Sequence, residues 1–191
     1  MVLWTQSNAW LQGEVSAIIR KSLFPQGTSK MWWKSRRWFP AGKNTQPVRY
    51  VAVLDNDLKN RIADECTKKF PWNTENIHEA PALIVLCTVK GLSGYEPNGE
   101  ASTTKGTHWQ SFDAGMAADH FCLAARAVDL GTLIMGRYDE EKIKEILDLP
   151  EEYDVSCIIA VGHPEVIPAA NERKPLKEVP VSYTHLRAHE T

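Results

Sequence analysis

The sequence predicts an α+β or α/β layered domain with a mostly parallel or mixed sheet around one long central helix, and three observations carry that prediction. From about residue 47 onward, apolar runs of strand length alternate with helical patterns. The run at 81–89 (PALIVLCTV) is continuously apolar, as in a strand covered on both faces. Residues 109–130 read as a helix that is apolar nearly all round, which is the signature of a buried one.

Taken in order, residues 47–55 (PVRYVAVLD) are β-branched and apolar and read as the first core strand. Residues 57–69 place Leu58, Ile62 and Cys66 on one helical face. After the 81–89 strand comes KGLSGYEPNGEASTTKGT, rich in Gly, Ser, Thr and Asn; a loop of this length in a compact domain is often a functional lid. The helix over 109–130 has a narrow polar stripe at Asp119, Arg126 and Asp129, and its small residues would let a backbone or a flat ligand approach closely, with Gly131 as a C-cap. A strand at 132–136, a helix at 139–149 with Asp139 as N-cap, and a last strand at 155–163 complete the pattern.

Composition excludes several classes. The chain has 191 residues, long enough for a proper core. Its 22 basic and 24 acidic side chains include no basic block of the kind that neutralises a nucleic-acid backbone. Cys66, Cys87, Cys122 and Cys157 are widely spaced in apolar surroundings, which fits buried thiols and neither a disulfide framework nor a metal site. No apolar run approaches membrane-spanning length, so a cytoplasmic protein without membrane or nucleic-acid partners is expected.

The string Gly42-Lys43-Asn44-Thr45 looks like part of a phosphate-binding loop, but the spacing fails. That motif needs a glycine five residues before the Gly-Lys pair and a preceding strand, and here the strand follows. Taken alone the string is an ordinary turn. Its context is more informative: RWFPAGKNTQP (37–47) resembles the R-W-A-P-S-x-x-N-x-Q-P segment of the FMN-dependent nitroreductase family. APALIVLC, SFDAGMAADHFCLAARAVDLGT, IMGRYDEEKIKEIL and VGHPEVIPAANERKPLKEV are similar, in the same order, to that family's second core strand, central helix, flavin-ring strand and closing segment.

The resemblance implies a nitroreductase-like three-layer α/β/α sandwich over residues 37–179 and a specific set of cofactor contacts. Asn44 and Gln46 would reach the FMN ribityl chain and ring, with Gly42 and Lys43 in the same loop. Ile134, Met135 and Gly136 would face the ring through their backbone. Arg173 would pair with the phosphate through its guanidinium fork. Arg20, Lys21 and Ser22 match the beginning of the family's R-R-S-x-R phosphate motif, but LFPQG follows where a second arginine is expected. The implied activity is hydride transfer from NADH or NADPH, through FMN, to a nitroaromatic, quinone or similar flat acceptor. The family is homodimeric with FMN at the subunit interface. Because the cofactor carries the chemistry, no catalytic side chain is assigned. A dehydrogenase, enone reductase or dehalogenase of the same family, or a flavin binder without turnover, are the alternatives.

Trp109 would either shape the ring pocket or anchor the helix start. Asp119 with His120 and Cys122 read as packing, and His163 stands where the family has tyrosine.

The two ends of the chain are atypical. Trp4, Trp10, Trp32, Trp33 and Trp38 follow no helical or strand period. In the neighbouring frame KMWWKS becomes Asp or Asn, then Val-Val-Glu, then Ile or Val, a better amphipathic helix. Residues 23–36 therefore read as a frame slip, the alternative being a genuine Trp-rich surface segment. His185 and His189 have the spacing of paired metal ligands, but VSYTHLRAHET matches the translation of a sequencing-library transposase adapter. No metal is expected, and 180–191 are expected to be non-native.

Overall fold

The computed structural model describes residues 19–20, 39–167, 169, 171–175 and 178. The strands are β1 (Ile19–Arg20), β2 (Val48–Val53), β3 (Ala82–Val89), β4 (Gly131–Met135) and β5 (Tyr153–Pro164). The helices are α1 (Asn56–Arg61, continuing as a π turn through Ile62–Cys66), α2 (Pro71–Glu79), α3 (His108–Arg126) and α4 (Glu140–Leu147).

β5 organises the sheet. β3 pairs with it over Ala82↔Val161 to Val89↔Tyr153, β4 over Gly131↔Gly162 to Met135↔Ile158, and β1 at Arg20↔His163, while β2 lies outside β3. Every pairing among the described residues is antiparallel, where the sequence predicted a mostly parallel or mixed sheet. The alternation of strands and helices that suggested parallel pairing does not set strand direction: one helix, α4, joins the antiparallel β4 and β5. The chain between β2 and β3 contains two, α1 and α2, and α2 has no counterpart in the pattern read from the sequence.

Strand alternation sends side chains to two cores. Leu83, Val85, Cys87, Ile158 and Ala160 meet Ile62, Ile77 and Ile143 from the α1, α2 and α4 layer. Ile84, Leu86, Ile159 and Val161 meet Ala114, Ala117, Phe121 and Ala125 of α3 on the other face. A bulge between Leu86 and Cys87 in the β3–β5 ladder leaves Ser156 unpaired, so Val155 and Ile158 share one face while Cys157 takes the other. The three-layer α/β/α arrangement is therefore observed. Lys59, fully buried, caps α2 by donating from Nζ to the Ile77 carbonyl at 2.7 Å and that of His78 at 3.2 Å.

Two helix readings need adjustment. α3 is not buried all round: Ser111, Phe112, Gly115 and Asp119 are exposed along one face. Gly131 is not its cap but the first residue of β4. The cap position is filled by Asp129, left-handed at φ 59°, with Leu130 N–H donating to Ala125 O at 3.0 Å. Asp139 caps α4 as expected, its Oδ1 accepting from Lys142 N–H at 3.1 Å. Among the described residues no helix is long and apolar enough to cross a membrane, and no His, Cys, Asp and Glu side chains gather as a metal-binding group.

Candidate functional site

The Gly42–Asn44 segment forms a tight 3-10 turn, closed by Asn44 N–H to Ala41 O at 2.9 Å and Thr45 N–H to Gly42 O at 3.0 Å. Three non-glycine residues there are left-handed, Lys43 at φ 50°, Asn44 at 54° and Gln46 at 49°. Each such residue costs about 1–2 kcal/mol, so the conformation persists only if its surroundings impose it.

The start of α3 imposes it. Trp109 and Asp113, four residues apart, lie on one face of the helix. Asp113 is fully buried, and its Oδ2 accepts from Gly42 N–H at 3.0 Å and from the Ser93 hydroxyl at 2.5 Å. A Cβ placed on Gly42 would lie 2.5 Å from Trp109 Nε1, so only glycine allows this approach. Lys43 forms an ion pair with Glu96 across the same junction. Asn44 and Gln46 are exposed above this anchorage. Trp109 thus anchors the loop as well as the helix start.

The 90–107 segment, read as a lid, is tied down at several points. Tyr95 bridges Ala101, Ser102 N–H donates to Gly94 O at 2.9 Å, and Ser93 and Glu96 hold it to the Gly42 turn.

The β4 strand, which the resemblance assigns to the flavin ring, is less enclosed. Ile134 is 42% exposed, Met135 is 3% exposed with its side chain in the α4-side core, and Gly136 is open, since a Cβ there would meet nothing within 4 Å. Only the Met135 backbone is therefore available to a ligand. Ile134 lines a cavity of about 900 Å³ bounded by the open face of α3 and the β4 and β5 strands. The cavity's polar end holds Gln110, whose Nε2 donates to Thr88 Oγ1 at 2.8 Å and to Asp154 Oδ2 at 3.2 Å. Cys122 and Cys157 line its wall, and burial pushes the Cys157 thiol up to about 12, so it stays protonated and non-nucleophilic.

The register along β5 gives the separations. Through β3, Val48 is level with Asp154; Ile134 is level with Ile159, and Arg20 with His163. Arg20 and Ile134 are thus four positions apart along β5, or about 13 Å. Val48, where the chain enters β2 after the Gly42 turn, lies nine positions from Arg20, about 30 Å, on the far side of β3. The structure therefore does not bring Arg20 together with Asn44 and Gln46 within one chain. Arg173 is exposed, while Lys21 and Ser22, like residues 23–36 and 180–191, lie outside the described residues.

Residues 12–163 match the model of the Nitroreductase family. This chain belongs to that family. The nitroreductase match begins upstream of residue 37, where the sequence reading placed the domain boundary. Among its relatives, an oxygen-insensitive NADPH nitroreductase of Helicobacter acinonychis is 28% identical over 73% of this chain and 77% of its own length. An NADPH-flavin oxidoreductase of Vibrio harveyi is 29% identical over 68% of this chain, which spans about half (53%) of that protein. In fold, the chain superposes with a TM-score of 0.79 on a putative nitroreductase in complex with FMN from Exiguobacterium sibiricum, at 15% identity and covering 96% and 99% of the two chains.

Asp113 and Ser93, which hold the nitroreductase loop, were missed in the sequence. The one available signal was that Asp113 stands off the polar stripe of Asp119 and Arg126, where a buried carboxylate requires donors.

Proposed function

We propose that this nitroreductase-family chain is an FMN-dependent oxidoreductase that takes reducing equivalents from NADH or NADPH. It would pass them to nitroaromatic, quinone or similar flat acceptors, both substrates using one site in turn. The observation that carries this reading is the imposed left-handed turn that lifts Asn44 and Gln46 out of the chain's own packing. Side chains held this way offer amide donors and acceptors to a ligand at little further ordering cost. The names of the Helicobacter and Vibrio relatives and the FMN-bound structural neighbour support the same reading.

The residues present fit the cofactor. Gly136 lacks a side chain where the chain's own packing does not require that, and among the described residues β4 pairs along one edge only. Ile134, Met135 and Gly136 would receive the ring along that edge. Arg20 and Arg173, with Lys21 and Ser22, would hold the phosphate, and Gly42, Lys43, Asn44 and Gln46 would meet the ribityl and ring portion. Bound flavin would supply the hydride chemistry between the two substrates.

The separation along β5 favours a homodimer, in which one chain's Gly42 turn completes the site whose phosphate and ring-edge residues come from the other. The open face of α3 and the exposed Phe112 and Ile134 supply apolar surface for such a contact. A flavin binder without turnover is the second reading, favoured by the absence of the second arginine after Lys21-Ser22.

Purified chain reconstituted with FMN should be yellow and should bleach anaerobically with NADH or NADPH. Yellow protein that does not bleach selects the second reading, and protein that cannot take up FMN rejects both. Replacing Asn44 and Gln46 together by alanine should weaken FMN retention about tenfold or more; unchanged flavin content would reduce the loop to an ordinary turn.

A further inference from the structure

We propose that Asp113 is the positioning residue of the cofactor loop, a buried carboxylate that holds the Gly42–Gln46 turn and the 90–107 segment as one unit. The inference rests on the FMN reading above and adds a residue which that reading does not contain.

Asp113 Oδ2 alone receives both donors, Gly42 N–H and the Ser93 hydroxyl, which come from segments separated by about fifty residues in sequence. Asp113 Oδ1 is buried with no hydrogen-bond partner. A buried carboxylate satisfied on one oxygen is costly, and an apolar residue at this helix position would avoid that cost, as Ala114 and Ala117 do beside it. What the carboxylate contributes is the junction. Gly42 is the first residue of the turn, so fixing its amide sets where the left-handed residues Lys43, Asn44 and Gln46 begin. Ser93 lies between two left-handed glycines, Gly91 at φ 66° and Gly94 at φ 86°, and a Cβ on Gly94 would fall 2.7 Å from Gly106 O and 2.9 Å from Trp109 Cβ. Trp109 and Asp113 therefore grip both segments from the first turns of α3, and α3 is itself fixed to the sheet through Phe121 and Ala117.

An amide at this position would keep an oxygen acceptor for both donors, whereas alanine keeps none. The test uses the full chain, wild type beside Asp113→Asn, Asp113→Ala and Ser93→Ala. Two quantities are measured: FMN dissociation constant by flavin fluorescence, and amide hydrogen exchange of the FMN-free protein at Gly42 and at Ser102, whose N–H donates to Gly94 O, with β3 and β5 amides as the reference for global folding. In Asp113→Ala, exchange at Gly42 and Ser102 should accelerate while the β3 and β5 amides keep wild-type protection, and FMN should bind about tenfold or more weaker. Asp113→Asn should restore FMN affinity to within about threefold of wild type. Ser93→Ala should accelerate exchange at Ser102 and leave Gly42 protected.

Wild-type FMN affinity and unchanged local exchange in Asp113→Ala would overturn the proposal. If Asp113→Ala loses protection everywhere, Ser93→Ala and Asp113→Asn decide: wild-type exchange at Ser102 in Ser93→Ala, or Asp113→Asn as weak for FMN as alanine, would overturn it as well. A wild-type chain that binds no FMN would reject the FMN reading, and the exchange at Gly42 and Ser102 would still judge the role of Asp113.

Discussion

The two edges of the sheet present opposite designs. At the β2 edge, the Gly42 turn is determined by the chain's own atoms: a buried carboxylate, an indole against a glycine and an ion pair converge on a few residues. At the β4 edge the chain leaves space, with Ile134 partly exposed and nothing within 4 Å of a Cβ added to Gly136. A segment held rigidly and pointing outward suits insertion into another molecule's site, and an edge left open suits receiving one. In the homodimer proposed above, the difference would be that of a donated element and an acceptor surface, each chain carrying both.

The sharpest way to break this comparison is complementation, which gives an all-or-none result. Arg20→Ala and Asn44→Ala/Gln46→Ala chains should each lose FMN alone. Co-expressed with different tags and isolated as the mixed species, they should recover flavin at one of the two sites, because one site then combines an intact Arg20 from one chain with an intact loop from the other. Flavin content measured by absorbance on the doubly tagged species checks this. If the mixed species is as empty as its parents, the site is built within one chain.

Two glycine substitutions sharpen the comparison at a smaller scale. Gly42→Ala drives a Cβ into the Trp109 indole, so it should lower the melting midpoint of FMN-free protein, at a cost of about 1–3 kcal/mol, and weaken FMN binding as well. Gly136→Ala meets no atom of its own chain, so FMN-free stability should stay within about 0.5 kcal/mol while FMN binding falls. Thermal melts with and without FMN distinguish them. Equal behaviour of the two variants would mean that the β2 and β4 edges do not differ as described.

The same contrast explains what was legible in the sequence. Strands β2, β3, β4 and β5 were found within a few residues because their apolar runs are written locally, and α3 and α4 for the same reason. α2 was not found: Ile77 is its only fully buried apolar side chain, so no periodic stripe marks it, although Pro71 at its first turn is a helix-start signal. The mixed sheet was expected because an alternation of strands and helices carries no record of strand direction, and one helix joins the antiparallel β4 and β5. α3 read as buried on all sides because its Ala, Gly and Cys residues are apolar on every face, yet a sequence does not record whether the atoms that cover a face belong to the same chain. The loop residues Asn44 and Gln46 were reached through resemblance, whereas the contacts of Asp113 with Gly42 and Ser93 are long-range and have no local pattern.

The smallest expected effect belongs to the rim of the loop junction. Lys43 and Glu96 leave 56% and 42% of their side chains exposed, and ion pairs this open contribute under about 1 kcal/mol because water and salt screen them. Glu96→Gln should therefore change FMN affinity by less than about threefold at low salt, and the difference from wild type should vanish in high salt. Titrations at the two ionic strengths check it. A tenfold loss that persists in salt would move the weight of the anchorage from the buried carboxylate to the surface pair. The loop would then be held at its rim, where solvent can release it, and its rigidity at the β2 edge would no longer distinguish it from the open β4 edge.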